Sequence, residues 1–277
     1  MAKDSKIEWC DHTLNLWHGC TKVHAGCKNC YAETLDKRYH KAAPHWGVGS
    51  SRKLIKSAFA NLAKWQAQAA SENRIDTVFC GSMMDIFEES KPLVDHKGNP
   101  IFIEKQSLDI NNGLMCSKET GDLRNTLFQN IQDNCYPNIR FLFLTKRPEN
   151  IEEMCPPKVR MNPLCWFGTS VSDQKTADKL APQLVSTNVR NRFLSIEPMV
   201  GAINMLNIAP TSDVSINDID WIIVGGESGH GKRPFNPDWA RLIQSDCILN
   251  HVVFFMKQWD KVQPIPPDLM VREFPWV

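Results

Sequence analysis

Three of the chain's ten cysteines fall within eleven residues, in the stretch GCTKVHAGCKNCYAE (19–33). Six residues separate Cys20 from Cys27, and two separate Cys27 from Cys30. Three thiols are one more than a redox pair needs and one fewer than a closed four-thiolate metal site. Three chemistries stay open on this pattern. Cys27 and Cys30 have zinc-knuckle spacing, with Cys20 as third ligand and Cys10, His12, His18 or His24 as the fourth. Cys27 and Cys30 alone make a redox pair, which leaves Cys20 without a task. An iron–sulfur cluster held by three thiolates employs all three and leaves one iron open. The helix-forming run YAETLDKRYHK (31–41) begins directly after Cys30, and a helix N-terminus favours an anionic cluster. An open iron has a use. It binds the amino and carboxylate groups of S-adenosylmethionine and passes an electron to the sulfonium, giving a 5′-deoxyadenosyl radical.

Such a site needs a rigid frame. Six β-rich apolar runs supply it: TVFCGS (77–82), RFLFLT (140–145), WFGTSV (166–171), RFLSIE (192–197), WIIVGG (221–226) and VVFFMK (252–257), with LNLWHG (14–19) as a weaker seventh. Several are apolar nearly throughout, as strands of a parallel sheet buried on both faces are. Helical stretches alternate with them. These are 31–41, 57–70, 173–187 with Asp173 as N-cap and a break or a second helix expected at Pro182, and 236–250 with Asn236 as cap and Pro237 at the first helical position. The order predicts an α/β fold in one domain over 1–277: an open doubly wound sheet, or a full or partial β/α (TIM-like) barrel of parallel strands. The segment near 86–138 departs from the repeat and reads as an insertion, with a hairpin over 94–104 and a helix over 121–134. The Pro-rich tail, 260–277, is expected to lie extended over the domain.

Both topologies place ligands at the carboxyl ends of strands. There the sequence delivers Ser82 and Asp85, then Thr145, Lys146 and Arg147, then Ser170, Glu197, Glu227, and finally Lys257, Gln258 and Trp259. Any one of these is an ordinary solvated strand end; the series suits a pocket for a polar ligand. GGESGHGKRP (225–234) exposes backbone amides but matches neither a Walker loop nor a dinucleotide fingerprint, and a plain turn accounts for it equally. A net charge of +1 gives no bulk argument for nucleic acid. No apolar run reaches the length of about eighteen residues that a membrane span needs, and MAKDSKIEWC lacks the apolar core of a secretion signal. A cytoplasmic protein is expected. In that reducing setting Cys80, Cys116, Cys135, Cys155, Cys165 and Cys247 read as small buried side chains.

The blocks KIEWCDHTLNLWHGCTKVHAGCKNCYAE, FLTKRPE, GTSVSDQKTAD, RFLSIEPMVG, DWIIVGGESGHGKRPFNPDW and FFMKQWD, in this order over about residues 7–260, resemble the phage-type three-Cys-motif proteins. That family occurs in phages and bacteria and is similar to the radical S-adenosylmethionine superfamily. The resemblance implies a β/α barrel, a 4Fe–4S cluster on Cys20, Cys27 and Cys30, and S-adenosylmethionine near Thr145, Lys146, Ser170 and Glu197. It also implies a flavodoxin- or ferredoxin-like electron donor. The chain departs from the wider superfamily in its six-then-two spacing, in Asn29 before the last cysteine with Tyr31 after it, and in carrying Gly-Gly-Glu on a late strand. The role of holding the cofactor's amino group therefore moves to Ser82 and Asp85. Glu227 and Lys257 become the candidate catalytic groups. A phage setting suggests a nucleotide or DNA base as substrate, with Gln258 and Trp259 against the base and Arg147, Lys232 and Arg233 against phosphate. The competing expectations are a zinc-stapled accessory or DNA-binding module without catalysis, and a barrel that keeps the cluster but not the radical chemistry.

Overall fold

A computed structural model describes residues 7–40, 44–105, 114–208, 214–228 and 231–277. Seven strands form one sheet: β1 (His12–Leu14), β2 (Asp76–Cys80), β3 (Ile139–Thr145), β4 (Cys165–Val171), β5 (Asn191–Ile196), β6 (Trp221–Gly225) and β7 (Val253–Gln258). Every neighbouring pair is parallel, and spatial order follows sequence order. A doubly wound sheet reverses direction at a switch point. This one does not, and its twist curls it into a half-barrel. The six apolar runs are β2 to β7. The weaker run at 14–19 resolves into the end of β1 and a separate short strand, Trp17–His18.

Side chains alternate across the sheet with the period of two that strands impose. Val78, Phe141, Phe143, Phe167, Leu194, Ile222 and Phe254 face outward into the main core. There they meet α2 (Ala58–Ser71), α3 (Thr120–Gln132), α4 (Gln174–Val185) and α5 (Pro237–Leu249). Phe79, Leu142, Trp166, Phe193, Trp221 and Phe255 form a second cluster on the concave face, together with Trp9. The tail completes that cluster with Phe274 and Trp276. Trp221 Nε1 donates to the Glu273 carbonyl at 3.1 Å, and the Arg140 guanidinium lies 4.0 Å from the Trp276 ring centre. The tail bonds β7 through the Met256 amide to the Val271 carbonyl and the Glu273 amide to the Phe254 carbonyl, but it is not extended throughout, since Pro267–Leu269 forms a 3₁₀ turn; its aromatic end stops one mouth of the half-barrel.

The expected caps are present: the Asp173 side chain accepts from the Thr176 amide, and that of Asn236 from the Asp238 amide. The break expected at Pro182 does not occur, because α4 continues to Val185. Proline gives up one amide donor there, whereas Leu180, Ala181 and Leu184 are all buried around it, and the Ser186 amide still bonds the Pro182 carbonyl. Four of the six scattered cysteines are buried as expected, but Cys116 is half-buried and Cys135 exposed. Cys116 lies on a two-stranded ribbon, Phe102–Lys105 with Leu114–Ser117, and Cys135 in the turn after α3, where neither meets the sheet. The Lys97–Asn99 turn of the expected hairpin is tied by Asp95 Oδ1, which accepts from the Lys97 and Asn99 amides at 2.7 and 2.9 Å. Within the insertion, Leu93–Val94 joins Arg52–Leu54 and Trp17–His18 in a three-stranded sheet beside the first crossover. Among the described residues no helix is long and apolar enough to cross a membrane.

Gly168 on β4 leaves room for the ring of Phe193, which would lie 2.5 Å from an added Cβ. Both partners are central strands and the ring is fully buried, so Gly168→Ala should destabilise the fold by about 1–3 kcal/mol. Urea denaturation would register this as a lower midpoint with the slope unchanged; an unchanged midpoint would contradict the layered packing.

Candidate functional site

The connection from β1 to β2 carries the Cys loop, and α1 (Tyr31–Tyr39) starts at once after Cys30, its N-cap. The loop descends over the carboxyl ends of the strands. A cavity of about 200 Å³ lies between them, lined by Cys20, Cys27 and Cys30 on one side. On the other side stand Ser82 and Asp85 after β2, Thr145 at the end of β3 with Lys146 after it, Ser170 on β4, Ser195 on β5 with Glu197 after it, Glu227 after β6 and Lys257 on β7. Trp9, Phe79, Trp46 and Tyr31 supply apolar wall. The three thiols and the polar strand ends, read separately in the sequence, therefore share one cavity.

Two buried carboxylate–guanidinium pairs fasten the loop. Asp85 Oδ1 accepts from the Thr145 hydroxyl at 2.7 Å and the Phe87 amide at 3.1 Å. Its Oδ2 accepts from Arg147 Nη1 at 2.7 Å and the Lys146 amide at 3.3 Å. Arg147 Nη2 then donates to the Thr21 carbonyl at 2.7 Å. From the other direction Arg52, fully buried, grips Glu88 with Nε at 2.9 Å and Nη2 at 2.7 Å. The same Nη2 donates to the Thr21 hydroxyl at 2.8 Å. Thr21 follows Cys20, so two arginines fix the backbone beside the first thiol. Burial pushes the Cys20 thiol up to about 12, with the Asp85 and Glu88 charges adding to it and Arg147 opposing. A ligand that takes this sulfur as thiolate must displace its proton.

Glu227 makes the second joint. Its carboxylate accepts from Arg233 Nη2 at 2.6 Å and Nε at 3.1 Å, from the Arg233 amide at 2.9 Å and from Asn29 Nδ2 at 2.9 Å. Arg233 Nη1 also donates to the Ala25 carbonyl at 3.2 Å. The loop after β6 is thus tied to the Cys loop, and Glu227 is committed to that tie. Burial alone would raise its carboxyl, but hydrogen bonds from Arg233 and Asn29 win and hold it below the usual carboxylate range.

The other expected residues divide. Lys257 pairs with Glu197. Ser170 donates to the Glu197 carbonyl at 2.9 Å, and Thr145 is consumed by Asp85. Ser82 Oγ accepts from Asn15 at 2.8 Å. Lys146 is half-buried at the cavity and pairs with no carboxylate among the described residues. Arg147, Gln258 and Trp259 do not line the cavity. Gln258 Nε2 donates to the Gly226 carbonyl at 2.9 Å, Trp259 packs edge-on against Phe235, and Lys232 pairs with Asp260 at 2.6 Å. Ser195 was not foreseen. Its buried Oγ faces the cavity with no hydrogen-bond partner. Arg52 and Glu88 were also missed: Glu88 is followed by the exposed Glu89 and Arg52 by Lys53, so neither local sequence marks a buried charge.

The candidate fourth ligands lie elsewhere. His12 bonds Asp76 at 2.9 Å and stacks on Trp65, and Cys10 packs under the concave cluster. His18 sits on its short strand, and His24 Nδ1 accepts from the Gly26 amide at 3.0 Å. Burial lowers both His18 and His24 to about 4, with Lys53 and Lys146 respectively contributing, so both are neutral at pH 7. Among the described residues one trio of ligand-type groups gathers within 4.8 Å: Asp36, His40 and His45. There Asp36 accepts from the His45 ring at 2.8 Å and its amide at 2.7 Å, while the Lys53 ammonium is 3.0 Å from His40. That ammonium opposes a second cation, and the trio acts as a fastener beneath α1.

Two outcomes follow. Asp85→Ala strands Arg147 in a buried setting and should cost about 3–5 kcal/mol in chemical denaturation; a loss below about 1 kcal/mol would mean the pair does not hold the loop. The Glu227 carboxyl is depressed, so its stabilisation is present above about pH 4.5, its ordinary value, and is lost as pH falls through the lower folded value. Arg233→Ala should therefore melt below the parent at pH 7, and the gap should narrow in acid below about pH 4.5.

No curated protein and no solved structure matches the chain. One family model matches residues 4–99 and 115–269, leaving residues 1–3, 100–114 and 270–277 outside it. The chain thus belongs to a family described as proteins of unknown function, DUF5131.

Proposed function

We propose that the protein is a radical S-adenosylmethionine enzyme whose 4Fe–4S cluster is held by Cys20, Cys27 and Cys30. One observation carries the reading: the three thiols, and none of the candidate fourth ligands, line the cavity where the strand-end polar groups converge. The donor set fits. The three thiols are free and line one cavity, as a cluster in which each thiolate takes a different iron needs. When bound, such a cluster supplies one-electron cleavage of S-adenosylmethionine, the chemistry from which a 5′-deoxyadenosyl radical arises.

The chain's own residues then orient and shield. Lys146 offers a cation to a carboxylate, and Ser195 offers a hydroxyl whose desolvation is so far uncompensated. Trp9 and Phe79 wall the cavity from water. The Lys257–Glu197 ion pair lines the cavity and can offer an ammonium donor or a carboxylate acceptor to a ligand. Ser82 and Asp85, assigned to the cofactor by the sequence, act through the frame: each is already bonded to protein. The electron comes from a flavodoxin- or ferredoxin-like donor. A reducing, cytoplasmic setting belongs to this reading. A nucleotide or DNA base remains the substrate class under this reading.

Anaerobic purification and metal analysis test it. We expect about four irons per chain with thiolate-to-iron absorbance, loss of both in Cys20→Ser, Cys27→Ser and Cys30→Ser, and retention in Cys10→Ser. After reduction, S-adenosylmethionine should yield 5′-deoxyadenosine. One zinc per chain and no iron would falsify the proposal; iron without 5′-deoxyadenosine would leave a cluster protein with no radical chemistry.

A further inference from the structure

Helix α1 fully buries only Ala32 and Asp36. Tyr31, Leu35 and Tyr39 recur one turn apart on its outer side and are 47, 38 and 70 % exposed. Charge is concentrated in the same place. Residues 20–56 hold eight Lys or Arg against two acids, although the whole chain nets only +1; of the eight, Arg52 is buried against Glu88 and takes no part in this face. Both acids are spoken for, Glu33 by Lys22 and Lys37, and Asp36 by His45. Lys28 and Arg38 pair with no carboxylate among the described residues, and the Arg38 guanidinium lies 5.8 Å from the Tyr39 ring centre. Tyr31 is both the first residue of this stripe and a wall of the cavity, its hydroxyl donating to the Ser82 carbonyl at 2.7 Å.

We propose that this face binds a single-stranded nucleic acid and leads it to the cavity. Exposed rings stack bases and interleaved cations meet phosphates, the combination by which single strands are held without sequence preference. Tyr31 and Tyr39 are about 12 Å apart along the helix, the length of three to four stacked bases at about 3.4 Å each. An acidic protein would use the charges but not the ring faces. A duplex would hide its bases from a cavity of about 200 Å³, whereas a strand presents them. The chain's modest net charge conceals this face, because the residues outside 20–56 are net acidic. The proposal deepens the reading of the cavity as the reacting site and rests on it for the direction of the strand; binding itself is read without iron or S-adenosylmethionine.

The test is fluorescence anisotropy of labelled 20-nucleotide DNA, single-stranded and duplex, with the full chain, Tyr39→Ala and the double variant Lys28→Glu/Arg38→Glu. All three side chains are exposed, and circular dichroism verifies that the variants fold. We expect the single strand to bind more tightly than the duplex and to weaken about tenfold or more between 50 and 200 mM salt. Tyr39→Ala should weaken it about tenfold, and the double reversal by more than that. No binding at 50 mM salt overturns the proposal. So does binding that both variants leave unchanged, or polyglutamate competing as well as the oligonucleotide, which would mark an acidic-protein surface. Iron-loaded protein that cleaves S-adenosylmethionine yet binds no strand defeats this proposal alone. Strand binding by protein that never acquires iron defeats the cluster reading alone.

Discussion

Four buried charges hold the functional end of this molecule together. Asp85 and Glu88 leave the sheet just after β2, and Arg147 and Arg52 reach them from β3 and from the strand Arg52–Leu54. Desolvating four such groups is costly, and pairing in good geometry only offsets that cost. The arrangement is retained for what the arginines do with their remaining donors. Each gives one to Thr21, and Arg52 gives others to the His45, Gly47 and Ser50 carbonyls. A loop with only a three-residue 3₁₀ turn of its own, Ala25–Cys27, is thereby given a fixed position over the sheet. Nothing in the hydrophobic core could do this, since the loop's neighbours are backbone carbonyls and a hydroxyl that need donors.

Glu227 and Arg233 repeat the device on the far side of the cavity. The Cys loop is thus held at Thr21 from β2 and β3, and at Ala25 and Asn29 from the segment after β6. Side chains that look like reagents in the sequence become braces. What stays available to a ligand is a smaller set: Lys146, the Ser195 hydroxyl, the Lys257–Glu197 pair and the thiols. That division makes chemical sense. A polar strand-end group with every lone pair filled positions its neighbours, and one with an unfilled valence invites a ligand.

The sheet was readable because strands buried on both faces leave long apolar runs, and because Asp173, Asn236 and Pro237 are local helix signals. Pro182 misled because a local rule cannot weigh the burial of Leu180 and Leu184 around it. The location of the site was readable from a topological rule. Roles were not, because whether Asp85 faces a ligand or Arg147 depends on residues 62 positions apart. Ser195 was invisible for a related reason: RFLSIE differs from an ordinary strand by a single hydroxyl, and only the cavity beside it gives that hydroxyl meaning. Whole-chain charge hid the basic face for the opposite reason, by averaging over it.

The aromatic stopper has a consequence for how the chain reaches this structure. Trp9 and Trp276 belong to one cluster, yet they come from opposite ends of the described sequence. The helix-facing core can grow step by step, since each strand pairs with the next one in sequence. The concave core cannot. Its closure requires a contact of very large sequence separation, which carries the loop-closure entropy that slows folding. Assembly should therefore end on the concave face, with a late species whose outer layer is native and whose inner aromatic face is still exposed to solvent. Because Trp9 and Phe79 belong to that face and also line the cavity, the cavity wall is completed only in this last step.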